Sequence, residues 1–220
     1  AGEAVLLPTP WYFNHKMALD MLGIAAIPLP CRAEDGFIPS PERAAELIDT
    51  RVRAIVLVTP NNPTGAVYPP EVITAFYRLA QQRGIALVLD ETYRDFLPAG
   101  QALSHDLMTD PDWPRTLVQL YSFSKAHAIP GHRLGAMVAA PELIGEIAKI
   151  LDTLQICPAR PAQGVVAWAI EALRDWREAQ RQELARRADV TREVFAHANG
   201  WRIDSIGAYF AFVAHPFAGE

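Results

Sequence analysis

The sequence has only two cysteines, Cys31 and Cys157, far apart and each next to a proline. Neither a CxxC pair nor a histidine at metal-ligand spacing accompanies them, which excludes a disulfide framework and a cysteine-based zinc site. A reducing compartment is the matching expectation. No stretch approaches the roughly 18 consecutive apolar residues that a membrane span needs. The opening AGEAVLLPTP has no basic region followed by an apolar one, as a secretory leader would. A soluble, cytoplasmic protein without membrane contact is therefore expected. Charge of one sign is equally scarce: the net charge is −5, and basic residues gather only in REAQRQELARR, interleaved with acids at helical spacing. No basic stripe suited to a phosphate backbone results, so no nucleic-acid contact is expected from this segment. GxxxxGK[ST], internal repeats and low-complexity tracts are also lacking.

What is present is a chain of ordinary globular balance, 50% hydrophobic and 20% charged, with 13 glycines and 18 prolines in 220 residues. A chain of this length buries roughly 70% of its unfolded surface, enough for a substantial core. Apolar, β-branched runs alternate with helical stretches up to about residue 140. AVLL precedes a helical HKMALDML, and IAAIPLP comes next. SPERAAELID opens with Ser40 as N-cap, Pro41 at the first helical position and Glu42 in the first turn. RAIVLVTP leads to a helix, PPEVITAFYRLAQQRG, closed by Gly84, and then come IALVLDETY, TLVQLYSFS and RLGAMVAA. Strands apolar at nearly every position and separated by helices are what a parallel sheet covered on both faces requires. The fold class is α/β, a three-layer αβα large domain with a mostly parallel sheet. Beyond residue 140 PELIGEIAKILDTLQI reads as one helix, residues 160–198 as one or two long helices, and GWRIDSIGAYFAFVA as two short strands beginning a smaller α+β domain. The expected division is 1–170 and 171–220, both parts incomplete, with the chain read as a fragment.

In an open α/β sheet, ligands bind outside the carboxyl ends of the strands. There the chain places Thr59-Pro60-Asn61-Asn62-Pro63-Thr64-Gly65, Asp90-Glu91-Thr92-Tyr93, Ser122-Phe123-Ser124-Lys125, and Arg133 just before LGAMVAA. Each piece has a plain structural reading. NNPTG is a good turn, Asp90 could cap the next helix, and a single lysine after Ser-Phe-Ser is usually solvated. LVLDE could belong to a Mg²⁺-holding strand, but the chain lacks the phosphate-cradling loop such a site needs. The residues 121–135 begin like a buried strand and settle into no helical period. Cys31, Trp168 and the six histidines read as packing or surface residues.

In order and spacing, TPNNPTG, LVLDETY and SFSK, with Arg133 eight residues beyond Lys125 inside PGHRLG, resemble the class I/II aminotransferases, pyridoxal-phosphate enzymes of fold type I. The resemblance implies the cofactor pyridoxal 5'-phosphate and a role for each residue. Lys125 would form a Schiff base with the cofactor and, once freed, carry the proton at the substrate's Cα. Asp90 would keep the pyridine nitrogen protonated, through a charge-assisted bond worth about 1.5–3 kcal/mol. Asn62 and Tyr93 would hydrogen-bond the phenolic oxygen, and Ser122, Ser124 and Arg133 would hold the phosphate. A ring stacking on the cofactor is assigned to Tyr12, with Trp11 as the alternative and an aromatic staple for the helix after it as the structural reading.

The implied activity is transfer of an amino group from an L-amino acid to a 2-oxo acid, in a homodimer. The family's substrate-carboxylate arginine and its N-terminal glycine-containing loop have no match here. A transcriptional regulator with an aminotransferase-like effector domain, and a lyase on the same fold, are the alternatives.

Overall fold

A computed structural model describes residues 2–101 and 104–217. The elements are β1 (Ala4–Thr9), α1 (Phe13–Met21), β2 (Ala25–Pro30), α2 (Pro41–Leu47), β3 (Val52–Val58), α3 (Pro70–Arg83), β4 (Ala86–Asp90), β5 (Leu117–Ser122), α4 (Phe123–Ala126), β6 (Gly135–Val138), α5 (Pro141–Leu154), α6 (Arg160–Ala172), α7 (Arg174–Ala196), β7 (Arg202–Gly207) and β8 (Phe210–Ala214). Six strands form one sheet in the order β2-β1-β3-β4-β5-β6, and β7 and β8 make a separate antiparallel hairpin. The first five strands are parallel, as their apolar runs predict.

The local signals act as expected. The Ser40 hydroxyl accepts from the Arg43 amide at 3.2 Å, and Pro41 opens α2. Pro70 opens α3, and Gly84, at φ 63°, ends it in the left-handed conformation that glycine adopts without a Cβ penalty. Ile73, Phe76 and Ala80 of α3 pack on Leu6, Ile55, Leu57 and Leu89 of the sheet in the main core. A second cluster joins Phe123 and Leu134 to Ala162 and Val166 of α6, and a third joins Tyr93, Phe96 and Ala126 to Leu184 of α7 and Phe210 of β8.

Two expectations are corrected. RLGAMVAA does supply β6, but that strand runs antiparallel to β5 and is exposed at every position rather than covered on both faces. The connection from β5 holds only the single turn α4 and a short 3-10 turn at Pro130–His132, not the long helix that usually carries a parallel return. Residues 121–135 also contain one turn of helix, α4, so Lys125 stands on a helical turn directly after its strand.

The hairpin touches the large sheet's loops closely. A Cβ built on Gly65, whose φ is +75°, would lie 2.5 Å from the Gly207 amide nitrogen and 2.8 Å from the Phe210 carbonyl oxygen. Both the backbone conformation and the contact demand glycine there. Gly65→Ala is expected to lower stability by about 2 kcal/mol or more, read as a lower denaturation midpoint with unchanged slope. A midpoint equal to wild type would show that the loop and hairpin separate freely.

Candidate active site

The strand order makes β1, β3, β4 and β5 successive neighbours, so the ends from which four chain segments emerge lie side by side on one rim. A cavity of about 340 Å³ opens there, lined by Tyr12, Asn62, Asp90, Tyr93, Ser122, Ser124, Lys125 and Arg133, together with Phe13, Val58, Thr92 and Pro130. All eight residues singled out from the sequence therefore face one space. Trp11 is not on its wall, and its ring lies instead 5.9 Å from the Lys16 Nζ.

Adjacent asparagines divide the work of the β3 exit. Asn61 is buried and holds the turn: its Oδ1 accepts from the Thr64 amide at 3.1 Å and hydroxyl at 2.8 Å, while its Nδ2 donates to the Tyr68 hydroxyl at 3.2 Å. Asn62 is thereby presented to the cavity, where its side chain hydrogen-bonds Tyr93. Burial and the neighbouring Tyr12 and Asp90 push the Tyr93 phenol up to about 12, against the opposing bond from Asn62. Tyr93 is thus a neutral donor at physiological pH.

The β4 exit is anchored by Glu91, which is fully buried. The Ser104 hydroxyl and the Gln119 amide donate to it, and His105 Nε2 lies 3.4 Å away. Burial alone would raise this carboxyl, but the neighbouring His105 and the bonds from Ser104 and Gln119 hold it below the usual range. Because Glu91 points into the interior while Asp90 lines the cavity, the two do not form the carboxylate pair that a Mg²⁺-holding LVLDE strand would require.

Asp90 is 7% exposed, and its two oxygens have separate partners. Oδ1 accepts from the Thr92 amide at 3.0 Å and the Thr92 hydroxyl at 2.7 Å, closing the turn. Oδ2 lies 3.1 Å from His15 Nε2. Burial raises the Asp90 carboxyl, yet the bonds from His15 and Thr92 outweigh it and leave the group below its ordinary value of 3.8. The carboxylate is therefore ionised although buried.

His15 is the functional candidate that sequence reasoning missed, having been assigned to packing or surface. Its only signal was position: it comes three residues after Tyr12, in the first turn of α1, so both face the same side, with ring centroids 5.2 Å apart. Replacing it with glutamine is expected to raise the Asp90 pKa, measured by NMR titration of the carboxyl carbon. The sign comes from linkage. A depressed carboxylate stabilises the fold above its unfolded pKa, and that contribution disappears as pH falls through the folded pKa. His15→Gln should accordingly begin to lose stability at a higher pH than wild type on acidification, and coincident acid transitions would refute the coupling.

At the β5 exit, the Ser122 hydroxyl accepts from the Ser124 amide at 3.3 Å and caps α4. Lys125 is half-buried, with Nζ 5.8 Å from the Tyr93 ring centroid and no ion pair among the described residues. Arg133 sits in the left-handed region at φ 50° and ψ 46°, and one guanidinium nitrogen donates to the Pro130 carbonyl at 2.8 Å. Such a conformation costs on the order of 1 kcal/mol for a residue other than glycine. The Tyr209 hydroxyl, on the β7–β8 turn, approaches the Lys125 carbonyl oxygen at 3.4 Å.

The cavity is of the size small-ligand sites have, roughly 300–1,000 Å³. Its donor set fits pyridoxal 5'-phosphate: an ionised buried carboxylate for a protonated ring nitrogen, a neutral phenol and an amide for a phenolic oxygen, and a fixed cation with two hydroxyls for a phosphate. A primary amine at the rim suits an aldehyde.

Comparison with known proteins gives the same direction. A family profile described as Aminotransferase class I and II matches residues 1–216. The chain is 30% identical over 215 residues to an aspartate/prephenate aminotransferase of Thermus thermophilus, covering 96% of this chain and 55% of that protein. It is 29% identical to an arginine–pyruvate transaminase of Pseudomonas aeruginosa, covering 91% of this chain and 51% of that protein. Among solved structures, an aspartate aminotransferase from Thermus thermophilus with maleate superposes at a TM-score of 0.89 with 30% identity, over 96% of this chain and 55% of that one. The chain thus spans about half the length of the relatives it matches.

Proposed function

The chain belongs to the class I and II aminotransferases, and we propose that it forms the cofactor-binding part of a pyridoxal-phosphate enzyme moving an amino group from an amino acid to a 2-oxo acid. The observation that carries this reading is the convergence of an amine, an ionised buried carboxylate, a phenol and a guanidinium, from separate segments, on one cavity. When bound, pyridoxal 5'-phosphate supplies an aldehyde that takes the amino group and a ring that accepts electrons from the substrate's Cα.

The chain's own residues do the rest. Asp90, kept ionised by His15 and Thr92, holds a positive charge at the ring nitrogen. Asn62 and Tyr93 orient the ring through its phenolic oxygen, and Tyr12 covers one face. Arg133, Ser122 and Ser124 hold the phosphate. Lys125 Nζ would hold the cofactor through its aldehyde and, when free, would take and return the proton at the substrate's Cα. These roles serve the step common to every substrate. Relatives sharing this part of the chain carry names as different as aspartate/prephenate aminotransferase and arginine–pyruvate transaminase.

A division near residue 170 into a cofactor-binding part and the start of a smaller one belongs to the same proposal, as does a homodimer. Ile150, Leu154, Ile156, Val165 and Trp168 on and beside α5 and α6 are exposed at 58–74%, an apolar surface suited to a second copy of the chain. Among the described residues no helix is long and apolar enough to cross a membrane.

The test is reductive trapping. The full-length protein is mixed with pyridoxal 5'-phosphate, treated with borohydride, digested and mapped by mass spectrometry. The residue range contains lysines only at 16, 125 and 149, so the label's position is unambiguous. Label on Lys125 is expected, and label on Lys16 or Lys149 alone, or none, would sink the reading.

A further inference from the structure

Beyond the cofactor site, Asp95, Tyr121, His127 and Arg177 line a second cavity of about 340 Å³ together with Arg94. Arg177, from the first turns of α7, reaches three parts of the chain. One guanidinium nitrogen donates to the Ala169 carbonyl at 3.2 Å and the Ile170 carbonyl at 2.9 Å, at the end of α6, and lies 3.3 Å from His127 Nε2. Its Nε is 3.4 Å from an Asp95 carboxylate oxygen, and the other Asp95 oxygen accepts from the Tyr121 hydroxyl at 2.6 Å. The Arg177 and Asp95 side chains are only 17% and 22% exposed. Arg177, Asp95 and Tyr121 pair with one another, while among the described residues His127 Nδ1 is buried without a hydrogen-bond partner and Arg94 lies 3.8 Å from Glu91. The guanidinium and the carboxylate at the centre are engaged by the wall itself, as in a brace.

Sequence position shows which segments are braced. Tyr93 and Lys125 each lie three residues past the end of a strand, Asp90 of β4 and Ser122 of β5. The sheet fixes the two strands, but its register pairs extend no further than Asp90 and Leu120 between them. Asp95 is two residues beyond Tyr93, and His127 is two residues beyond Lys125. One planar guanidinium, pre-organised to hold several acceptors at once, touches both.

We propose that Arg177 is a positioning residue that sets the separation between the Tyr93 and Lys125 segments and so couples the place of α7 to the geometry of the cofactor site. The inference rests on the aminotransferase reading. The protonation states agree with it. Burial and the Arg177 cation depress the His127 pKa, so the neutral ring accepts at Nε2. Burial and Asp95 push the Tyr121 phenol up, which keeps it the donor.

The test uses the full-length protein with Arg177→Met, Asp95→Asn, their double variant and Ile73→Ala. The last removes a buried side chain of the main core, to which none of the brace residues belongs, and serves as a stability control. Three quantities are measured: the His127 midpoint by NMR without cofactor, the Kd for pyridoxal 5'-phosphate, and the pH midpoint of the bound cofactor's absorbance. In Arg177→Met the His127 midpoint should rise. Its Kd should weaken about tenfold and its absorbance midpoint should shift, a size usual for coupled neighbours. The double variant should be no worse than the poorer single one. Ile73→Ala should lower Tm without moving any of the three. If Arg177→Met does not fold, Arg177→Lys, which keeps the charge without the fork, is expected to show the same changes in smaller measure. Wild-type Kd and absorbance midpoint in the Arg177 variant would overturn the inference alone. Failure of the wild-type protein to bind the cofactor would overturn the aminotransferase reading and this inference with it.

Discussion

Under the proposed function, Lys125→Ala in the full-length protein is expected to lose transamination by on the order of 10⁵-fold, because one amine would serve both as the cofactor's covalent anchor and as the base at the substrate's Cα. Folding is unaffected within about 0.5 kcal/mol, since the Nζ makes no ion pair among the described residues and the side chain is half-buried at a strand exit. Lys125→Arg separates charge from chemistry. It keeps a cation near the Tyr93 ring, but a guanidinium that stays protonated cannot condense with an aldehyde. Both variants are therefore expected to be equally inactive and to lack the borohydride-trapped label. The arginine variant should still bind the cofactor non-covalently, because Arg133, Ser122 and Ser124 remain. Substantial turnover by either protein, measured as 2-oxo acid formed over hours at high enzyme concentration, would remove Lys125 from the chemistry.

Under the same proposal, Asp90→Asn is expected to have the second largest effect, a fall in kcat of about 10²–10³-fold, the size of losing one pre-organised charge aimed at the reacting group. The amide retains the shape and can still accept from Thr92, so the turn survives. What is lost is the negative charge that His15 and Thr92 keep ionised in a buried position. Cofactor affinity should weaken by about 1.5–3 kcal/mol, the worth of a charge-assisted hydrogen bond. The pH dependence gives an independent reading. Asp90 stabilises the wild-type fold above its unfolded value of 3.8, and that contribution is lost as pH falls through the lower folded value. The asparagine variant has no such group, so its acid transition should be flatter. Wild-type kcat and cofactor affinity in Asp90→Asn would mean that this side chain only closes the β4 turn.

How much of this was legible in the chain differs from residue to residue. The strands β1, β3, β4 and β5 were readable because a strand buried on both faces must be apolar almost throughout, and their polar exits stand out against that background. Ser40, Pro41 and Gly84 announced helix ends through chemistry confined to a single turn. The cavity residues were readable as a set because each lies within a few residues of a strand end. By contrast, the direction and exposure of β6 depended on the chain reversal after Lys125, which no local preference encodes.

Residue order was enough to establish an α/β chain with Lys125, Asp90, Tyr93 and Asn62 at strand exits and Arg133 just before a strand, since hydrophobic runs and turn residues are short-range signals. The resemblance already assigned Asn62 and Tyr12, whereas packing in three dimensions was needed to bury Asn61 in the turn and to keep Trp11, the alternative to Tyr12, off the cavity wall. Packing also brought His15 to Asp90, 75 positions away, and set Arg177 between Asp95 and His127. Those pairings arise from the order in which strands lie side by side and from how α1 and α7 settle against them. A hydrogen bond is decided within a few tenths of an ångström, a distance that residue type and periodicity do not carry.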